Sequence, residues 1–291
     1  MAGRDARLTD LFIVWREPTA HERLLAKYRK GGVLPPVEKT PIIQVEDLTA
    51  RFGDLTVFQH VNFEVFKGEI LVVLGGSGCG KSTLLKHMIG LYQPYTGRVL
   101  IDGIDVNSED GRQLNRLRRK IGVSFQSGAL FGSMTIGENI ALPLQEYTDL
   151  PANAINEIVR MKLAMVNLTG FENHLPSELS GGMQKRAGVA RAMALDPMVL
   201  FFDEPSAGLD PITGVELDIM IKRLNAGMGT TMVVVTHELQ SIFNISDRII
   251  MLDKTAKGII AEGDPKKLKD STNPQVHAFF NREPVEHEKE V

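Results

Sequence analysis

Cysteine is almost missing from this sequence: Cys79 is the only one among 291 residues, and Trp15 is the only tryptophan. A lone cysteine cannot close an intramolecular disulfide, so the chain has to be held by its core. Long apolar runs are missing too. The longest, such as Leu11–Trp15 and Ile70–Leu74, stop far short of the roughly 20 residues that span a bilayer. The opening stretch MAGRDARLTD has no apolar core of the signal-peptide kind, which predicts a cytosolic address and assigns any membrane path to another subunit. An excess of one charge is absent: the formal charge is -3, from interleaved basic and acidic residues, so no broad grip on nucleic acid is expected. Internal repeats are absent as well. What remains is a chain of 43% apolar composition, long enough for one large domain or a domain with a subdomain.

Residues 1–40 read as an extension, with Gly31-Gly32 and Pro35-Pro36 as its linker. Thr19-x-x-Glu22 is a capping box for a short helix with Leu24, Leu25 and Tyr28 on one face. That face docks on its own domain or on a partner or membrane surface. Short strands are predicted at Ile42–Val45, Val61–Phe66, Ile70–Leu74 and Arg98–Ile101, with turns at Gly53-Asp54 and Lys67-Gly68. Ile70–Leu74, Val199–Phe202 and Met232–Val235 are apolar on both faces, the pattern of buried parallel strands with helices on both sides. Ser127 to Glu178 reads as helical, one helix starting at Pro151 with Ile155, Ile158, Val159, Lys162 and Val166 along its stripe. Asn273-Pro274 caps a last helix bearing Val276, Phe279 and Phe280, which packs on its own sheet or on a second copy. Residues 283–291 are polar and acidic and are expected to be disordered.

The chemistry starts at Gly75-Gly76-Ser77-Gly78-Cys79-Gly80-Lys81-Ser82, followed by Thr83, which fits the phosphate-binding pattern G-x-x-x-x-G-K-[ST]. A triphosphate carries about four negative charges, and glycines let backbone N–H groups of Gly78 to Thr83 reach it at a helix N-terminus. Lys81 supplies a point charge and Ser82 a hydroxyl for Mg²⁺. Cys79 is a small residue in a small space or, as the alternative, a redox switch. Asp203-Glu204 closes the Val199–Phe202 run; Asp203 is placed for metal support and Glu204 for the general base. Ser180-Gly181-Gly182 precedes a helix predicted over Met183–Leu195, a second anion-binding helix start.

In order, the phosphate loop, the octet LSGGMQKR (Leu179–Arg186), Asp203-Glu204 and Thr236-His237 resemble the nucleotide-binding subunit of an ABC transporter, over about Ile42 to Asn281. The resemblance implies an α/β P-loop NTPase fold: a RecA-like parallel sheet core, an N-terminal antiparallel β subdomain and an α-helical subdomain at about 127–180, within a domain of 41–282 whose C-terminal helical tail is 265–282. It implies ATP and Mg²⁺ as ligands, Gln126 as a contact to metal and water, and His237 as the residue that senses the γ-phosphate. Asp210 is implied at a dimer contact, and Ser180, Gly181 and Gly182 on the nucleotide of a second copy. Met183 stands where many members have Gln. Phe52, in Arg-Phe-Gly-Asp, matches the aromatic that stacks on adenine, with an ordinary core position as the alternative.

Ser127-Gly128-Ala129-Leu130-Phe131, Asn139-Ile140-Ala141-Leu142-Pro143-Leu144, Lys185–Arg191 and Asp210-Pro211-Ile212-Thr213 look like the Mla-type phospholipid-transport ATPases paired with MCE-domain proteins in Gram-negative envelopes. That implies a homodimer on the cytoplasmic face of the inner membrane, a separate permease, an MCE-domain protein and a phospholipid cargo. Leu130, Phe131 and Met134 are candidate permease contacts, with self-packing as the alternative. An ATPase of a small-solute importer and a soluble assembly ATPase remain the competing readings.

Overall fold

The computed structural model describes residues 40–283; the helix expected near Thr19–Tyr28, its linker and the tail from 284 lie outside them. Strands β1 (Pro41–Phe52) and β2 (Leu55–Phe66) form a hairpin that turns at Gly53-Asp54. With β4 (Thr96–Ile101) and β5 (Ile104–Asp105) they make an antiparallel sheet in the order β2-β1-β4-β5. The second sheet runs β10 (Gly258–Gly263), β9 (Arg248–Asp253), β3 (Ile70–Gly75), β8 (Thr231–Val235), β7 (Val199–Asp203) and β6 (Ile121–Ser124). Every pair in it is parallel except β9 with β10.

The three strands expected from their apolar runs are thus neighbours at the centre of one sheet, and the period of two explains why both faces are apolar. Leu71, Val73, Phe201, Val233, Val235 and Ile250 belong to a core shared with the antiparallel sheet and with Leu84, Leu85 and Met88 of α1 (Lys81–Met88). Val72, Leu74, Leu200, Phe202, Met232 and Val234 belong to the opposite core. That side is covered by α3 (Ile136–Tyr147), α4 (Ala152–Met165), α5 (Gly181–Ala192), α6 (Pro211–Met228) and α7 (Leu239–Ile245). The short α2 (Gly111–Arg118) lies between β5 and β6 in the chain; α8 (Pro265–Leu268) and α9 (Pro274–Asn281) follow β10.

Some boundaries differ from expectation. Helix α5 begins at Gly181, because the Ser180 hydroxyl is itself the N-cap and accepts from the Met183 N–H at 3.3 Å. It ends at Ala192, where Ala194 donates to Arg191 and Asp196 to Met193 in tight closing turns before Pro197. Pro151 is the N-cap of α4 rather than its first residue. Residues 127–135 are turns, not helix. Two side chains hold them: Asn139 donates to the carbonyls of Phe131, Met134 and Thr135, and Arg191 donates to those of Gly128 and Ala129.

The last helix packs on the chain's own core. Asn273 accepts from the N–H groups of Gln275 and Val276, Val276 and Phe280 are buried in the helical-side core, and the Phe280 ring lies 5.7 Å from that of Phe243.

Candidate functional site

Parallel strands end together, so the loops leaving their carboxyl ends share one edge of the sheet. β3 runs into Gly75, Val73 is paired with Val235, and Val235 with Asp203. Gly75–Thr83, Asp203-Glu204 and Thr236-His237 therefore meet, and Ser124, paired with Phe202, brings Phe125-Gln126 alongside. A cavity of 820 Å³ opens there, lined by Phe52, Val57, Gly75, Gly76, Ser77, Gly78, Gly80, Lys81, Ser82, Thr83, Gln126, Glu204, His237 and Phe279. Its size suits a nucleotide.

Close neighbours demand glycine at two places in the loop. A Cβ on Gly75, at φ +146°, would lie 2.3 Å from the Leu252 carbonyl oxygen; one on Gly80, at φ +101°, would lie 2.7 Å from Val57. Gly80 caps α1 without any side-chain hydrogen bond, and the first turn of that helix holds no acid. Its leading N–H groups and positive dipole end are therefore free for an anion. Lys81 Nζ donates to the carbonyls of Gly75 and Gly76 at 3.0 and 3.1 Å, folded over the loop where a phosphate would draw it.

Cys79 departs from the rest of the loop. Its side chain is buried in the core beneath the loop, and burial pushes its thiol above the ordinary value despite the opposing charge of Lys81. Anything it gives a phosphate comes from its backbone, and a raised thiol pKa argues against the redox alternative.

Ser82 Oγ donates to Asp203 Oδ1 at 3.3 Å. Burial raises the Asp203 pKa, and the Ser82 hydrogen bond opposes the rise. Among the described residues no cluster of three or more His, Cys, Asp or Glu could hold a metal. The Ser82 hydroxyl and the Asp203 carboxylate are hard oxygen donors of the kind Mg²⁺ takes alongside waters and the substrate's own phosphates. Glu204 has φ +47°, a left-handed backbone that aims its side chain into the cavity. One of its oxygens, Oε1, lies 2.8 Å from Nδ1 of His237; the other, Oε2, is buried with no hydrogen-bond partner.

Phe52 is 48% exposed and stands edge-on to Tyr92 at 5.6 Å. That makes it an open aromatic at the cavity wall rather than a core residue.

Ser180, Gly181, Gly182 and Asp210 do not line this cavity. Asp210 caps α6, accepting from the N–H groups of Ile212 and Thr213 at 3.1 Å each; its pKa is lowered first by the Thr213 side-chain hydrogen bond and then by these backbone bonds. It lines a neighbouring 360 Å³ cavity together with His237 and Glu238. Within one chain the phosphate loop and the signature turn are thus separate.

Three participants were not evident in the sequence. Phe279 reaches the cavity from α9, Arg191 ties α5 to the turns after Gln126, and Lys185 reaches backbone carbonyls of Glu204, Pro205 and Ala207. Lys185 and Arg191 lie in a segment that carries the family likeness, but likeness alone names no contact.

A parallel sheet whose central strand feeds a glycine-rich Lys-Ser loop, beside an Asp-Glu strand end and a histidine, defines a P-loop nucleotide-hydrolysing fold. The chain belongs to the ABC transporter family, whose model matches residues 58–207, and it is an ATP-binding, ATP-hydrolysing subunit of that family. It is 41% identical over 242 residues, 83% of this chain and 91% of the relative, to the intermembrane phospholipid transport system ATP-binding protein MlaF of Haemophilus influenzae. It is also 41% identical to the probable ribonucleotide transport ATP-binding protein mkl of Mycobacterium leprae, over 82% of this chain and 68% of the relative. Among solved structures it is similar to the ATP-binding cassette MJ0796, dimeric in a post-hydrolysis state with ADP and Pi. That match has a TM-score of 0.69 and 32% identity, covering 76% of this chain and 98% of the other.

Proposed function

We propose that this chain hydrolyses Mg·ATP as one half of a homodimer and drives phospholipid movement through a separate permease and an MCE-domain protein, at the cytoplasmic face of an inner membrane. The observation that carries the lipid reading is the 41% identity to MlaF across 91% of that protein's length. Among the described residues no helix is long and apolar enough to cross a membrane, in keeping with a separate permease. Phe131, 51% exposed on the pinned turns after Gln126, offers that permease an apolar contact. Leu130 and Met134 are more enclosed and serve mainly to shape the turns. Residues 41–282 form the ATPase domain in this reading, with 127–180 as its helical subdomain.

The chemistry is divided among this chain's own residues. The N–H groups of Gly78 to Thr83 and the ammonium of Lys81 receive the phosphates, and Phe52 stacks on the adenine. Ser82, Asp203 and Gln126 hold Mg²⁺, which supplies positive charge to the phosphate oxygens when bound. Glu204 takes the proton of the attacking water as its oxygen bonds to the γ-phosphorus and the bond to the ADP oxygen breaks. His237 holds Glu204 in place and registers the γ-phosphate. Ser180, Gly181 and Gly182 complete the site of the other copy, near Asp210, so closure on two nucleotides and reopening after hydrolysis provide the stroke.

The competing reading is an ATPase of a small-solute importer, which the similarity to MlaF does not favour. Gentle extraction of the tagged chain from native membranes, with mass spectrometry of bound proteins and lipids, separates the two. A permease with an MCE-domain protein and phospholipid supports the first reading; a different permease without lipid replaces the cargo, and no membrane partner overturns both.

A further inference from the structure

Glu204 sits in a backbone conformation that its own side chain disfavours. At φ +47° it occupies the left-handed region, which a residue with a Cβ keeps only when its surroundings impose it. Two supports are local: the Glu204 N–H donates to the Val235 carbonyl at 2.8 Å, and the Ala207 N–H donates to the Glu204 carbonyl at 3.2 Å. A third comes from α5. Lys185 Nζ lies 2.7 Å from the Pro205 carbonyl oxygen, 2.6 Å from that of Ala207 and 3.5 Å from that of Glu204.

An ammonium has three donors and no acceptor, so three carbonyls converging on it form a matched site. Without it, the Pro205 and Ala207 carbonyls would lose a charge-assisted partner in a half-buried turn. Burial lowers the Lys185 pKa, with the carboxylates of Glu238 and Glu204 opposing the drop. The side chain therefore carries a desolvation cost that its carbonyl contacts offset, and it forms no ion pair of its own among the described residues.

We propose that Lys185 is a positioning residue for ATP hydrolysis: its ammonium holds the Glu204–Ala207 backbone in the turn that aims the Glu204 carboxylate into the nucleotide cavity. Lys185 lies on the same helix that Ser180 caps, so the signature turn and the base are joined by one short rigid element. A shift of α5 is thereby passed to Glu204 without any contact between α5 and the nucleotide of its own chain.

The test is Lys185→Met in the full chain, which keeps length and apolar bulk while removing the donors. A positioning role gives a kcat lowered roughly tenfold or more, with KM and ATP affinity within about threefold of wild type. Lys185→Arg, which restores donors on a longer stem, recovers most of kcat, and Lys185→Gln, with a shorter amide donor, recovers part. A Lys185→Met chain within about twofold of the wild-type kcat overturns the proposal. So does a loss that appears equally in ATP affinity and melting temperature and persists in Lys185→Arg and Lys185→Gln. The inference rests on Glu204 being the base; Glu204→Gln measured alongside separates the two, because turnover surviving in that variant removes the base whatever Lys185→Met does.

Discussion

Nδ1 of His237 lies 2.8 Å from Oε1 of Glu204, while Oε2 of the same carboxylate is buried and has no hydrogen-bond partner. One oxygen is engaged and one is unpaired. That division suits a base held in orientation by one contact and ready to accept a proton through the other. It also gives His237, 61% exposed at its side chain, a way to alter the base when a phosphate oxygen competes for the ring.

Glu204→Gln removes the basic oxygen while keeping shape and a polar partner for His237. ATP binding should stay within about threefold of wild type, and turnover should fall by roughly a hundredfold or more. Phosphate release, read with size-exclusion chromatography in ATP, checks both, because the stalled chain should collect as an ATP-bound dimer. Hydrolysis near the wild-type rate removes Glu204 from the role.

Phe52→Ala tests the adenine platform. Stacking of a base on an aromatic ring is worth ~1–3 kcal/mol, so calorimetry should show ATP binding weakened by about tenfold, with kcat at saturating ATP unchanged. A fall in kcat would place Phe52 in the chemistry instead.

Ser180→Arg places a long cation at the cap of α5, outside the chain's own nucleotide cavity. Nucleotide affinity of the isolated chain should be unchanged and hydrolysis should stop, as a site completed by a second copy requires. A wild-type rate would sink the two-half-site arrangement.

Phe280→Ala opens a hole in the core beside Phe243. A buried Phe replaced by Ala typically costs about 3–5 kcal/mol, which denaturant unfolding should show as lost stability of the single chain. The dimerisation constant in ATP should move little. The reverse pattern would mean that α9 serves the partner copy.

His87 gives an acid-side signature. Burial holds its imidazole below the ordinary 6.5, against its hydrogen bond with the Thr83 carbonyl, so between its folded pKa and 6.5 the unfolded chain binds more protons. Stability is therefore full above that window and declines as pH falls through it, by at most about 1.4 kcal/mol per pH unit. Denaturation of wild type and His87→Gln across this range should show a shallower acid-side decline in the variant. Equal slopes would mean that His87 protonates as readily in the fold as out of it.

The residues alone determined the central parallel strands, the phosphate loop, Asp203-Glu204 and the capped last helix, because each rests on short-range physics: apolar period, glycine at positive φ, a capping side chain. The wider family likeness placed Gln126, His237 and Phe52, which line the same cavity in the fold. Tertiary structure alone decided that Cys79 faces the core, that Phe280 packs within its own chain while Phe279 reaches the nucleotide cavity, and that Lys185 and Arg191 grip backbone 20 and 63 residues away along the chain. Carbonyl groups are identical at every residue, so a cation that binds them leaves no pattern in the sequence; only the folded path of the chain brings donor and acceptor together.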